Sequence, residues 1–98
     1  MSVITKTKDK IVETLNRLFY AERDAYLVLL NDDYVFEGTV RQGLQNVLGH
    51  SASKAQELML TAHNYGAAVV WTGSKKEAED YALRLRTQYG LTMRIDEE

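Results

Sequence analysis

One pattern restricts the fold of this chain more than any other: short apolar runs alternate with longer segments that carry apolar residues at helical spacing. The short runs have the length of strands, and they occupy residues 26–30, 67–71 and 91–95. The longer segments end at Gly49, Gly66 and Gly90. Glycine ends a helix readily because it tolerates the left-handed conformation. The predicted element order is therefore β-α-α-β-α-β.

The helical segments each carry a stripe of apolar side chains. The stripes consist of Val40, Leu44, Val47 and Leu48, then Ala55, Leu58, Met59 and Ala62, and finally Ala78, Tyr81, Ala82, Leu85 and Tyr89. Ser51 or Ser53 can cap the second helix, and Ser74 with Glu77 matches a capping box for the third. Because such stripes must be buried, we predict an α+β fold, a small two-layer α/β sandwich with a three-stranded sheet and helices on one face. The pattern leaves the strand order open.

The first 24 residues precede this pattern and are predicted to form an N-terminal extension, an arm attached to a core domain at 25–98. Apolar residues recur there at helical spacing, at Ile11, Leu15 and Leu18. This spacing predicts a short amphipathic helix from about Lys8 to Arg23. Its apolar stripe must cover a surface, either of the core domain or of a partner.

Composition excludes several classes of function. The chain has 98 residues and no cysteine, which rules out disulfides, thiol catalysis and cysteine-ligated zinc and fits a reducing compartment. A formal net charge of −2 argues against broad nucleic-acid binding, which needs a basic surface. No apolar run approaches the roughly 20 residues that span a bilayer. The N-terminal residues lack the apolar core and small-residue cleavage site of a secretion signal, so we expect none. We expect a soluble protein of the cytoplasm or a plastid stroma, with no membrane contact.

Asn31, Asp32 and His63 are the polar residues best placed to carry chemistry. The first two follow the first strand directly, and His63 lies one turn beyond Met59 on the apolar side of its helix. An amide oxygen, a carboxylate and a neutral imidazole nitrogen are all acceptors for a protonated amine. A simpler interpretation is that residues 31–33 form a turn and helix cap, while His63 is a core histidine. Spacing alone leaves both interpretations open.

Catalytic and metal sites have less support from the sequence. His50 and His63 could bind zinc together with nearby carboxylates, but they lack a ligand spacing such as H-E-x-x-H. His63 could act as a general base, but no matching nucleophile or metal set accompanies it. The chain also lacks a glycine-rich phosphate loop and a G-x-S-x-G motif. We therefore expect neither an enzyme nor a metal site.

Two segments carry a resemblance to a known family. Residues 27–34 are Leu-Val-Leu-Leu-Asn-Asp-Asp-Tyr, and residues 58–63 are Leu-Met-Leu-Thr-Ala-His, with Gly66 following. A hydrophobic strand that runs into Asn-Asp-Asp, and a helix that ends in Met-Leu-x-x-His before a glycine, are similar to the two signatures of the ClpS family. The resemblance covers about residues 25–96, and the stretch 67–93 is most similar to the cyanobacterial branch.

The resemblance implies a peptide-binding adaptor. Members of the family bind proteins whose exposed N-terminal residue is large and hydrophobic, the bacterial N-degron, and pass them to a Clp AAA+ unfoldase, ClpA or ClpC, for degradation by ClpP. By this resemblance Asn31, Asp32 and His63 hold the α-amino group of the substrate. The side-chain pocket is implied to contain Val35, Glu37, Val40, Met59, Ala62 and Leu91. No cofactor is implied.

The chain departs from the family at the rim of this pocket. Val35 stands where most members have threonine, and Glu37 where they have a methionine that shapes the mouth. Since an unpaired carboxylate is costly to bury, we expect Glu37 to turn toward solvent, and Phe36 could cover part of the gap. On the last helix, Glu79 and Tyr81 are implied to dock on the unfoldase, although many members have lysine at the second position. These departures keep an alternative open, a diverged ClpS-like protein that docks on the unfoldase and modulates it without binding hydrophobic N-termini.

Overall fold

The computed structural model of the chain describes residues 25–97. They form strand β1 (Ala25–Leu30), helices α1 (Glu37–Leu48) and α2 (Ala52–Tyr65), strand β2 (Ala67–Gly73), helix α3 (Lys75–Tyr89) and strand β3 (Met93–Glu97). The predicted α+β fold and its β-α-α-β-α-β order are confirmed. The helix predicted from about Lys8 to Arg23 lies outside the described residues, and the division into an extension and a core domain stays a prediction.

β1 is the central strand of the sheet, and both neighbours run antiparallel to it in the order β2-β1-β3. Leu29 pairs with Ala68 on one side and with Met93 on the other. Because side chains alternate along a strand, Leu27 and Leu29 share the face that points toward the helices, and both are buried in the core. The end of β1 at Leu30 therefore lies between two neighbouring segments of the chain.

β2 is two residues longer than the predicted run and contains a bulge. Its register with β1 skips Val70, which is the extra residue on this strand. The carbonyl oxygen of Val70 accepts a hydrogen bond of 2.7 Å from Nε2 of His50, which lies in the link between α1 and α2. The Val70 side chain lies in the core, and the bond from His50 to its carbonyl joins the link between α1 and α2 to the sheet.

One hydrophobic core fills the space between the sheet and the helices. Both α2 and α3 contact the sheet, and α1 packs against α2 and α3. Large side chains that are completely shielded from solvent come from β1, α1 and α3, namely Leu27, Leu44 and Leu85. The residues predicted for the buried face of α2 are all buried: Ala55, Leu58, Met59 and Ala62. The predicted two-layer arrangement is confirmed.

Serine side chains begin two of the helices. Ser51, rather than Ser53, caps α2, because its hydroxyl accepts from the N–H of Lys54 at 3.1 Å. The hydroxyl of Ser74 accepts from the N–H of Glu77 at 3.1 Å and donates to its carboxylate at 2.9 Å. A full capping box places that carboxylate on the serine backbone N–H instead. The cap predicted for α3 therefore forms, with a different glutamate contact.

The last strand begins two residues later than predicted. Gly90 has a φ of 67°, and its N–H donates to the carbonyl of Arg86 at 3.0 Å. The N–H of Leu91 donates to the carbonyl of Leu85 at 3.1 Å. These bonds form the C-terminal cap of α3, so the backbone N–H of Leu91 is used by the helix and β3 starts only at Met93.

Candidate functional site

The end of β1 is held between two other parts of the chain. The N–H of Leu30 donates to the carbonyl of Thr92 at 2.9 Å. On the other side, the N–H of Asn31 donates to the carbonyl of Gly66 at 3.0 Å, and Gly66 ends α2 three residues beyond His63. These bonds bring the Asn-Asp-Asp segment, the end of α2 and the segment before β3 together at one end of the sheet, where β1 finishes.

A pocket with a volume of about 150 Å³ opens between these segments. The residues implied by the resemblance for substrate binding all line it: Asn31, Asp32, Val35, Glu37, Val40, Met59, Ala62, His63 and Leu91. The sequence did not single out four further lining residues, Leu29, Leu30, Asp33 and Thr92. Nothing in the sequence indicated Thr92, because its contact with Asp32 joins residues that are 60 positions apart in the chain. The contact of each residue with a substrate stays a prediction.

The inner part of the pocket is apolar. Met59, Ala62 and Leu91 are at most 4% exposed, and Val40 packs against the same core. Apolar cavities of about 150 Å³ have accommodated a benzene ring in engineered proteins. The pocket therefore has room for the ring of a phenylalanine or for a leucine side chain.

Asp32 is held by hydrogen bonds on both of its carboxylate oxygens. Oδ1 accepts from the N–H of Tyr34 at 3.0 Å, and Oδ2 accepts from the hydroxyl of Thr92 at 2.9 Å. The backbone carbonyl of Asp32 also accepts from the N–H of Val35 at 3.0 Å. Asp32 thus forms a turn and lines the pocket at the same time. The predicted helix cap is wrong, because the N-cap residue of α1 is Phe36 and no side chain caps that end.

Asn31 and His63 complete the polar rim. Nδ2 of Asn31 donates to Oδ1 of Asp33 at 3.2 Å, which leaves the amide oxygen of Asn31 available as an acceptor. His63 lies in the last turn of α2, directly after the buried Ala62, and its own side chain is exposed. The interpretation of His63 as a core histidine is therefore wrong, and its ring nitrogens can reach a ligand from solvent.

Glu37 lines the pocket at the start of α1, and Phe36 directly precedes it. Glu37 is exposed in the first turn of α1, where the positive end of the helix dipole favours a carboxylate. Phe36 is 77% exposed, and its ring lies over Gly38. A Cβ at position 38 would come within 2.8 Å of that ring. Phe36 thus lies outside the pocket lining and does not cover the gap beside Glu37.

Glu79 and Tyr81 lie on α3, outside the pocket lining. Glu79 is exposed, whereas Tyr81 is half-buried and packs against Trp71. Helical residues two positions apart do not share a face. The structure therefore does not bring these two side chains together on one surface, and their role in docking stays a prediction.

Among residues 25–97, no cluster of three or more His, Asp or Glu side chains could hold a metal ion. His50, one of the two histidines considered for zinc, uses Nε2 for its bond to Val70. Within this same part of the chain, no helix combines the length and apolar character that crossing a membrane requires.

Two shifted pKa values belong to an exposed pair on β3, away from the pocket. Arg94 donates to both carboxylate oxygens of Asp96, at 2.7 and 2.9 Å. This hydrogen bonding lowers the pKa of Asp96 and raises the pKa of Arg94. Because exposed ion pairs contribute little to stability, we assign the pair no role in the site.

Comparison with known proteins decides the family. The family model described as ATP-dependent Clp protease adaptor protein ClpS matches residues 20–94, which is most of the chain. The chain belongs to the ClpS family. The family consists of adaptors rather than proteolytic subunits, in agreement with the resemblance carried by the two sequence segments.

Individual ClpS proteins support this assignment. A ClpS adapter from Synechocystis sp. (strain ATCC 27184 / PCC 6803 / Kazusa) is 32% identical over 90 residues, covering 91% of this chain and 88% of that protein. A ClpS adapter from Nocardia farcinica (strain IFM 10152) is 49% identical over 41 residues, covering 42% of this chain and 39% of that protein. The match to Synechocystis agrees with the resemblance to the cyanobacterial branch.

A solved ClpS structure has the same fold. The structure of Agrobacterium tumefaciens ClpS2 bound to L-phenylalaninamide matches this chain with a TM-score of 0.72 and 29% sequence identity. The match covers 76% of this chain and 95% of that one. The fold of residues 25–97 is therefore the ClpS fold.

Proposed function

We propose that this ClpS-family chain binds proteins whose N-terminal residue is large and hydrophobic, and delivers them to a Clp AAA+ unfoldase of the ClpC or ClpA type for degradation by ClpP. It acts in this role by binding alone, without catalysis or a cofactor. The proposed compartment is the cytoplasm or a plastid stroma.

One observation carries the substrate part of this proposal. A single pocket has an apolar interior and a rim with three hydrogen-bond acceptors, from Asn31, Asp32 and His63. A free N-terminal residue presents the matching pair of groups, an ammonium and a side chain on the same Cα. An internal residue has an uncharged amide instead of the ammonium. The pocket therefore suits a chain terminus better than an internal segment.

The magnitudes explain why both groups are needed. Burying a leucine or phenylalanine side chain contributes about 1.5–3 kcal/mol. A hydrogen bond to a charged group contributes a similar amount, about 1.5–3 kcal/mol. Since about 1.4 kcal/mol corresponds to a factor of ten in affinity, losing either the amine or the side chain lowers affinity tenfold or more.

The ligand of the Agrobacterium relative supports the same chemistry. That protein was solved with L-phenylalaninamide, a molecule with a free α-amine, an aromatic side chain and an amide where the next peptide bond would be. These are the features of an N-terminal phenylalanine. The pocket of this chain has room for the ring and acceptors for the amine.

Delivery rests on family membership, since the family is described by its role with the ATP-dependent Clp protease. We propose that Glu79 and Tyr81 on α3 both take part in docking, as residues on different sides of that helix rather than on one shared surface. They lie outside the pocket lining, so docking through them would leave the residues that line the pocket free for a substrate.

The proposal is tested with short fluorescent peptides that differ only in the first residue. We expect Phe, Leu, Tyr and Trp to bind more tightly than Ala, Ser or Glu, and N-acetylation of the Phe peptide to weaken binding at least tenfold. If free and acetylated peptides bind alike, the amine site is wrongly assigned. Degradation of a Phe-initiated reporter by ClpC or ClpA with ClpP, with and without the adaptor, tests delivery.

Glu37 favours an alternative function, a diverged adaptor that docks on the unfoldase and modulates it without binding hydrophobic N-termini. An apolar side chain that enters past Glu37 removes part of the water around its carboxylate. Because removing water from a charge is costly, entry becomes less favourable. This alternative predicts no preference among first residues, together with a change in unfoldase ATPase or degradation rate when the chain is added.

A further inference from the structure

Thr92 forms hydrogen bonds to the end of β1 and to the residues that follow it through two different groups. Its backbone carbonyl accepts from the N–H of Leu30 at 2.9 Å, and its hydroxyl donates to Oδ2 of Asp32 at 2.9 Å. The first bond fixes the backbone just before the Asn-Asp-Asp segment. The second bond fixes the carboxylate of Asp32 from the segment that precedes β3.

Together with Tyr34, Thr92 fixes the plane of the Asp32 carboxylate. The N–H of Tyr34 holds Oδ1 and the hydroxyl of Thr92 holds Oδ2. Without the second bond, Oδ2 could swing away while Oδ1 stays in the turn. Two carboxylate oxygens have about four acceptor positions, so both retain capacity for an ammonium after these bonds are made.

We propose that Thr92 is a positioning residue for substrate binding: its hydroxyl holds the Asp32 carboxylate in the orientation that receives the α-ammonium of the substrate. This inference rests on the proposed function of the pocket. The physical reason is preorganisation, because a carboxylate that is already oriented loses less conformational freedom when the amine binds.

The test compares Thr92→Val, which removes the hydroxyl at nearly constant shape, with Thr92→Ser, which retains it. Thr72→Val is the matched control, because Thr72 is an exposed strand residue paired with Tyr26 at the opposite end of β1. For a peptide with N-terminal phenylalanine, we expect Thr92→Val to weaken binding about three- to tenfold. Thr92→Ser and Thr72→Val should stay within about twofold of the wild type.

A double-mutant cycle separates positioning from a general structural effect. If Thr92 acts through Asp32, then Thr92→Val should cost less than about twofold in the Asp32→Ala background. The ratio of affinities for free and N-acetylated peptide should also fall in Thr92→Val alone. A melting temperature within a few degrees of the wild type for each variant shows that the fold is intact. If Thr92→Val unfolds, Thr92→Ala removes the same hydroxyl with a smaller side chain and takes its place in the test.

The outcomes distinguish this inference from the proposed function. If the wild type does not prefer the free Phe peptide, the proposed function fails. If the wild type prefers it but Thr92→Val binds equally well or better, or loses as much in the Asp32→Ala background, the role of Thr92 is refuted while the pocket assignment stands.

Discussion

The ring of Tyr81 packs edge-on against the indole of Trp71, with centroids 5.0 Å apart and ring planes at 71°. The guanidinium carbon of Arg84 lies over the ring of Tyr81, 5.8 Å from its centroid. This contact joins α3 to β2, so Tyr81 contributes to folding whether or not it also docks on an unfoldase.

We therefore expect Tyr81→Ala to lower the free energy of unfolding by about 1–3 kcal/mol, from lost burial and the lost aromatic pair. Tyr81→Phe keeps the ring and should change it by less than about 0.5 kcal/mol. Urea denaturation followed by circular dichroism measures both. Equal stability of Tyr81→Ala and the wild type would show that the pair is energetically unimportant. Glu79→Ala is the cleaner probe of docking, because Glu79 is exposed.

Asp32→Ala should weaken binding of a Phe- or Leu-initiated peptide more than tenfold, about 1.4 kcal/mol, because it removes the carboxylate that we propose receives the ammonium. Asp32→Asn retains an acceptor for the turn but removes the charge, and should also bind weakly. Fluorescence anisotropy gives the affinities. Asp80→Ala, an exposed carboxylate on α3, is the matched control. Wild-type affinity in Asp32→Asn contradicts a role for the charge.

Binding should depend on pH through the substrate. The α-amino group has a pKa of about 7.7–8.0, so its charged form falls to roughly a tenth at pH 9. If only the ammonium binds, the apparent Kd of a Phe peptide rises about tenfold between pH 7 and pH 9. The N-acetylated peptide has no such group and should show no parallel change. A pH-independent Kd for the free peptide indicates that the neutral amine binds equally well.

Glu37 should alter the preference among first residues. We expect its exposed carboxylate to leave the mouth wider and wetter than an apolar residue would. Phe36 does not line the pocket, since its ring lies over Gly38. We expect weak discrimination among Phe, Tyr, Trp, Leu and β-branched first residues, and sharper discrimination in Glu37→Met. A basic second residue should help by a few tenths of a kcal/mol, the scale of an exposed ion pair.

The measurement is a first-residue peptide series on the wild type, Glu37→Met and the control Glu57→Met. Glu57 is also exposed, and it lies on α2 outside the pocket lining. An unchanged ranking in Glu37→Met means that Glu37 does not shape the pocket.

Deleting residues 1–23 should impair delivery more than peptide binding. The pocket is lined by residues between 29 and 92, so its affinity for a Phe peptide should stay within about twofold. Degradation of a Phe-initiated reporter by the unfoldase and ClpP should slow, because the apolar residues at helical spacing in the extension favour contact with a partner surface. Degradation at the wild-type rate by the truncated chain contradicts a delivery role.

Local pattern was sufficient to predict the elements of the core. Apolar periodicity predicted all six, the glycines predicted where the helices end, and the buried face of α2 was predicted residue by residue. These features depend on neighbours within about one helical turn, which is why the sequence reveals them. The predicted start of β3 at residue 91 was wrong, because the N–H of Leu91 bonds to the cap of α3 instead of to a neighbouring strand.

The candidate site could be predicted only in part. Residue chemistry proposed Asn31, Asp32 and His63 as one of two interpretations, and the resemblance to ClpS supplied six further lining residues. Leu29, Leu30, Asp33 and Thr92 were identified only by the structure. The direction of the Phe36 ring could not be predicted, because it depends on the open surface over Gly38. The exposure of Glu37 was predicted correctly, because burying an unpaired charge is costly.

The sequence by itself determined the elements, their order and the acceptors at the end of the first strand, because each depends on local conformational preference and residue chemistry. Only the tertiary structure decided the strand order β2-β1-β3 and the backbone bonds that place Gly66 and Thr92 on either side of β1. It also decided that Thr92 donates to Asp32 across 60 residues. Such a contact depends on sheet register and on where a helix cap ends, and both are set by packing of the whole core rather than by neighbours in the chain.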